Sequence, residues 1–446
     1  MIRLLASSGV VLSMVSMATF ASADPSPNDI SIAAFNPEDA VAPMSTIEGP
    51  GVKVGEGTVL RPVFGAETGF VSNVFYEDQN ERPAGILRLI AQIGTASLGA
   101  DRLHPSATIG ADEGQENLGA FEYRADLRLS YDFMFSESDA ATETGGLGVG
   151  ATLRGMVNPS GRFAFGFNDE FVRLIRAANF ETDANVNRDI NQLRLLLLYR
   201  PRDSAISGYV YYDNRLDIFE RSEQSFADRM THRVGLHPQW RFFPQTQAYL
   251  DLSMGYTTAL DGDSTKVDSY PLVVRAGLAT LLSVKTTLNL DAGYTNGFYS
   301  EGPSFSAPVI GATIGHRYSP LGRVTAGYSL VYEDSINANY FRDHVIRASV
   351  QQVLKPLVFM IQPELHIRQY NGVTVAIPDI MGPDTRDDVI VSVIGGVHYS
   401  FRNWFLATLN YRFTSVSTDY MYTIGGMTDD PGFVRHELLA GIRFAL

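Results

Sequence analysis

Along residues 57–446, apolar and polar side chains alternate one for one in stretch after stretch. In the run from Gln247 to Tyr256, Leu250, Leu252, Met254 and Tyr256 fall on one face, and Gln247, Asp251, Ser253 and Gly255 on the other. A soluble sheet with this pattern lays its apolar face on a core. Here the pattern fills the chain and no segment remains to supply the core. The apolar faces must then meet lipid and the polar faces an interior, which predicts a transmembrane antiparallel up-and-down β-barrel.

The alternation breaks into about eighteen strands, with sixteen as the lower count. They are expected at 57–76 (interrupted near Gly69), 84–98, 119–136, 147–157, 161–177, 189–200, 205–219, 227–242 and 245–258. The rest are expected at 269–282, 285–299, 305–318, 321–334, 340–354, 357–370, 386–400, 403–416 and 432–446. Short connections rich in Pro, Gly, Asn and Ser, such as 158–161, 243–244 and 355–356, follow every second strand. Longer polar loops, such as 137–146, 178–188, 371–385 and 417–431, follow the others. That asymmetry matches barrels with short periplasmic turns and long outer loops, and it predicts periplasmic termini. The segment 99–118 breaks the rule, being long where a short turn is due. Aromatic residues gather at strand ends, as in Tyr131, Phe133, Phe135, Trp240, Phe242 and Trp404, where headgroup-level rings belong.

The first 23 residues read as a signal peptide, with Arg3, a largely apolar run to Phe20, and Ala21-Ser22-Ala23 as the cleavage site. Residues 24–56 are acidic, rich in Pro, Ala and Gly, and without periodicity, as in a flexible periplasmic segment or a small plug. Residues 57–446 form the barrel. After the signal no apolar run reaches the length of a spanning helix, and the mean hydropathy is only −0.03. A net charge of −14 argues against nucleic-acid partners. With no cysteine, disulfides, thiolate metal sites and a lipid-anchored N-terminal cysteine are all excluded.

Keeping basic side chains off the lipid face assigns the lumen by parity, since each costs about 2–4 kcal/mol at the midplane. The expected lumen residues are Arg88 on 84–98, Arg124 and Arg128 on 119–136, and Asp213 and Arg215 on 205–219. Arg233, His237 and Arg241 follow on 227–242, Asp251 on 245–258, Arg275 on 269–282, and Asp291 on 285–299. Arg317, Arg347, then Glu364, His366 and Arg368, then Arg412 and Arg443 complete the set. Arginine and carboxylate on neighbouring strands can pair across the ladder, either as a lattice that holds a wide barrel or as a polar track for a solute. No catalytic motif is present, so no enzyme activity, cofactor or metal is expected. Glu364 and His366, two residues apart on one face, suit a hydrogen bond better than a metal.

The run Gly69-Phe70-Val71-Ser72-Asn73-Val74-Phe75-Tyr76, followed by Ile86-Leu87-Arg88-Leu89, resembles the start of a family of Gram-negative β-barrel porins linked to exopolysaccharide clusters. In that family a first strand ending in Ser-Asn-Val-aromatic precedes a second that opens apolar-Arg-apolar. The likeness extends over most of 57–446. It implies an outer-membrane pore that exports a surface polysaccharide. The implied partners are outer-membrane lipid, the barrel-insertion machinery and periplasmic polysaccharide export proteins. A general diffusion porin for small hydrophilic solutes, with an inward loop at 137–146 or 417–431, and a plugged receptor or structural barrel are the alternatives.

Overall fold

The computed structural model describes residues 51–54, 58–97, 120–177, 186–201, 204–261, 266–373, 382–424 and 427–446. The expected signal peptide, nearly all of 24–56, and the long connection 99–118 lie outside the described residues.

The chain enters through a three-residue strand, β1 (Val52–Val54). The barrel opens with β2 (Thr58–Val71), β3 (Ala84–Ser97) and β4 (Phe121–Phe135). A one-turn helix, α1 (Asp139–Thr142), leads to β5 (Gly146–Val157), β6 (Phe163–Ala177), β7 (Val186–Tyr199) and β8 (Ile206–Phe219). A 3-10 turn at Ser222–Ala227 precedes β9 (Arg229–Phe243), β10 (Thr246–Ala259), β11 (Leu272–Ser283) and β12 (Thr286–Asn296). Then come β13 (Ser306–Ser319), β14 (Gly322–Asp334), β15 (Tyr340–Leu354), β16 (Leu357–Asn371), β17 (Thr385–Arg402) and β18 (Phe405–Thr418). A small hairpin, β19 (Tyr422–Ile424) and β20 (Met427–Asp429), stands apart from the sheet, and β21 (Phe433–Ala445) ends the chain.

Each long strand pairs antiparallel with the next, β18 pairs with β21, and β21 pairs with β2. The result is a closed barrel of eighteen long strands, in one-to-one correspondence with the stretches expected from alternation. Closure leaves no unpaired edge, which is the condition for β-structure in hydrocarbon.

Side-chain exposure follows parity. On β4, Phe121, Leu127, Tyr131, Phe133 and Phe135 are exposed, while Glu122, Arg128 and Asp132 between them are buried. Aromatic residues exposed at the short-turn end include Phe163, Trp240, Phe243, Tyr318, Phe401 and Trp404, and Phe70, Phe135 and Tyr270 mark the other end. The two described ends of the chain meet at the short-turn end, where the Gly51 amide donates to the Leu446 carbonyl at 3.1 Å. One short turn closes on Asn158, which takes a left-handed φ of 54° that asparagine tolerates.

Two expectations are corrected at the first strand. β2 is not interrupted near Gly69 but runs straight through it. A Cβ on Gly69 would lie 1.8 Å from the Leu438 carbonyl oxygen, so glycine lets β21 approach closely at the closing seam. The strand also does not continue to Tyr76; it ends at Val71. Asn73 turns the chain there, its side chain donating to the Glu77 carbonyl at 2.7 Å and the Val434 carbonyl at 3.2 Å and accepting from the Glu77 amide. Tyr76 then adopts a φ of 61°.

Gly69→Ala is expected to destabilise the folded barrel by about 1–3 kcal/mol, the usual cost of overpacking. Gly85→Ala on β3, where the nearest atom would be 3.7 Å away, is expected to have little effect. Urea unfolding of the two variants in lipid vesicles compares them.

Candidate functional site

All eighteen side chains expected in the lumen lie on the face opposite the exposed apolar ones, and β-pairing brings many of them together. At the seam, Glu67 of β2 accepts from Arg443 of β21 at 2.7 Å and lies 4.0 Å from Arg88 of β3. Arg88 in turn grips Asp132 of β4 through two bonds, at 2.7 and 2.9 Å. This chain of charges crosses four strands and the point of closure. Glu67, Arg88, Asp132 and Arg443 are all nearly fully buried. Register explains the grouping, since Glu67 stands opposite both Arg88 and Gly441, and Arg88 opposite Asp132.

Further round, Arg124 bonds Asp126 at 2.8 Å. Arg128 lies across Gly150, whose missing side chain leaves it room. Asp213 takes two bonds of 2.6 Å from Arg194 and faces Arg233 in register. Asp217, fully buried, has Arg215 at 3.2 Å, Arg188 at 3.5 Å and Arg229 at 3.6 Å. His237 is stacked between Tyr209 and Tyr249 and lies 3.4 Å from Asp251, which also accepts from the Tyr211 hydroxyl at 3.2 Å. Arg275 meets Asp291 at 3.3 Å. Asp343 gathers His366 at 2.9 Å and Arg368 at 2.7 Å. Glu364 accepts from Gln362 at 2.9 Å and faces Arg347 in register, as Arg412 faces Glu437. Arg241 and Arg317 lie near the short-turn end, Arg241 being exposed.

Sequence reasoning missed several members of this wall. Glu67 sat in a stretch read as interrupted. Arg194 hid in the leucine-rich run of β7. Only register brings either one to its partner.

The long-loop end holds a second assembly that alternation could not reveal. Asp334, at the end of β14, is bonded by Arg229 from β9 and by the Tyr299 hydroxyl at 3.3 Å, with Lys266 Nζ at 3.7 Å. Lys266 also donates to the carbonyls of Ser335 and Ala338, at 2.5 and 2.7 Å. Ile336 packs on Phe219 and Ala227, so the β14–β15 loop reaches toward β8. Burial, together with the neighbouring Asp334 charge, pushes the Tyr299 phenol well above its ordinary value, so it remains a donor. On the opposite side Tyr76 packs edge-on against Phe433 and beneath Arg435, and Ala141 of α1 is buried against Val71, Ile86, Met134 and Leu439. Described loops from both sides thus fold onto the inner face at this end.

Among the described residues no group of three or more metal-ligating side chains is found, and no helix is long and apolar enough to cross a membrane. No protein-family model matches this chain. No curated protein matches it. Solved structures that it resembles include OprD of Pseudomonas aeruginosa (9% identity, TM-score 0.42, 90% of this chain and 98% of that one). Acinetobacter baumannii OccAB4 matches at 11% identity and TM-score 0.44, over 87% and 98%. The Pseudomonas aeruginosa siderophore receptor PirA matches at 9% identity and TM-score 0.39, over 87% and 80%. The architecture described above rests on the strand register of this chain.

Glu67→Gln leaves Arg443 buried without its carboxylate. It is expected to lower stability by about 3 kcal/mol, with partial recovery on adding Arg443→Met; a double-mutant unfolding cycle measures both. Asp334→Asn is expected to loosen Lys266 and Arg229 from the loops across the mouth, seen as raised hydrogen exchange at residues 266–271 and 335–339.

Proposed function

We propose that this chain is a channel of the Gram-negative outer membrane through which small hydrophilic solutes diffuse without chemical change. The observation that carries this reading is the division of one closed sheet into an apolar outer face and an inner face of paired arginines and carboxylates. An eighteen-strand barrel is wide enough for an aqueous conduit, and inward loops at one end would set its bore. The eighteen inner residues named from the sequence would line that conduit. Because both charge signs alternate around the wall, selectivity between small anions and cations would be weak.

The short-turn end would face the periplasm and carry both termini. The resemblance to exopolysaccharide-linked porins implied export of a polymer. No family match supports that narrower role, and passive diffusion of small solutes is preferred to it.

Refolded mature protein in a planar bilayer is expected to give steady conductance steps with weak ion selectivity. Deleting residues 24–56 is expected to leave those steps unchanged. Silence of both forms would overturn the diffusion reading, and steps only after the deletion would replace it with a gated one.

A further inference from the structure

Toward the long-loop end, the outward parity of the described strands carries two arginines, Arg173 of β6 and Arg342 of β15. Arg173 is paired with Glu220 at 2.5 Å. Arg342 has no such partner. Its Nε is buried without a hydrogen bond, and among the described residues no carboxylate comes within ion-pair distance of it. Asp343, its neighbour in the chain, is turned to the inner face and bound to His366 and Arg368. Asp334 of β14 is already held by Arg229 and Lys266. Asp387 of β17 stands two strands away in register, about 10 Å at the usual strand spacing.

The height of Arg342 on the wall follows from its strand. Leu354, exposed at the short-turn end of β15, lies twelve residues below it. At about 3.3 Å per residue and a tilt of about 40°, that is about 30 Å, just past an apolar band about 25 Å tall. Below it, Ile346, Ala348 and Val350 continue the outward face as an apolar track. Beside it stand two more donors, Tyr332 of β14 and Gln369 of β16, each directly opposite in register. The Tyr332 ring is held at 5.2 Å from Phe305 and 6.4 Å from Tyr340. Among the described residues neither its hydroxyl nor the Gln369 side-chain amide has a hydrogen bond. All three side chains are part-exposed. Cross-strand neighbours are about 5 Å apart at Cβ, so one anion seated on Arg342 is within reach of both flanking side chains.

We propose that Tyr332, Arg342 and Gln369 hold the phosphate of a lipid headgroup, that of a phosphorylated glycolipid of the outer leaflet packed against the barrel wall. The inference rests on the channel reading, which turns the long-loop end outward. A guanidinium offers two parallel N–H donors that match two phosphate oxygens. The partly buried stem of Arg342 keeps that fork at the wall instead of in bulk water. The phenol and the amide donate to the remaining phosphate oxygens, and the amide oxygen accepts from sugar hydroxyls beside them. Acyl chains below the headgroup would lie along Ile346 and Val350. An arginine at the edge of hydrocarbon is costly unless an anion meets it, and phosphate is the anion found at headgroup level. A solute in the lumen cannot serve, because Arg342 is on the other face of the sheet.

The test uses the refolded mature protein in neutral detergent micelles and reads the temperature at which heat-modifiable migration on gels is lost. Three probes are titrated: an acylated disaccharide lipid carrying phosphate, the same lipid after removal of its phosphate, and inorganic phosphate. The phosphorylated lipid is expected to raise the midpoint, and the other two to leave it unchanged at the same concentration. Arg342→Gln is expected to raise the half-saturating lipid concentration about tenfold, and Tyr332→Phe, which removes only a hydroxyl, about threefold. Arg173→Gln, on the arginine that already has a carboxylate, is expected to leave it unchanged. An equal rise with the phosphate-free lipid would overturn the proposal, and so would a rise with inorganic phosphate alone. An unchanged half-saturation in either Arg342→Gln or Tyr332→Phe would overturn it as well. A protein that conducts without preferring the phosphorylated lipid loses this inference alone. One that shows the preference without conducting loses the channel reading alone.

Discussion

Everything in this molecule depends on one ladder of backbone hydrogen bonds, that between β21 and β2. Inside a bilayer an unpaired amide or carbonyl costs several kcal/mol, so an open sheet of this length could not persist there. The seam closes the sheet on itself and removes both edges. Gly69 lets the two backbones meet closely, and Glu67 draws Arg88 and Arg443 to either side of the joint. The first and last long strands of the chain are thereby held by backbone and by charge together.

Closure also dictates what the inner face can be. Once every second residue is given to the apolar outer face, each remaining residue is enclosed with its counterparts from neighbouring strands. Arginine is tolerated there because carboxylates on adjacent strands lie within reach, as Asp132 does for Arg88 and Asp213 for Arg194. Such pairs add little net stability but penalise misregister, since a slip of one residue would send every charge outward. The same lattice that holds the wall would give a passing solute a polar surface of balanced sign.

The long-loop end obeys different physics. Its described loop residues lack period and are held by particular contacts: Asp334 collecting Arg229, Lys266 and Tyr299, or Tyr76 seated between Phe433 and Arg435. These partners are far apart in sequence, and their meeting follows from where the strands deliver the loops.

The sequence by itself determined an antiparallel barrel of about eighteen strands, with sixteen left open, and their order, because a period of two needs only local steric alternation and a solvent contrast. It read β2 wrongly at both Gly69 and Ser72-Tyr76. A glycine inside a strand looks like a break until the neighbouring backbone that needs it is known, and a turn held by Asn73 on Val434 spans almost the whole chain. The tertiary structure alone decided the partners: Glu67 with Arg443, Asp334 with Lys266, Asn191 with Asp169. Pairing of that kind depends on register and closure, which are properties of strands meeting in space and leave no trace in the order of residues along any one of them.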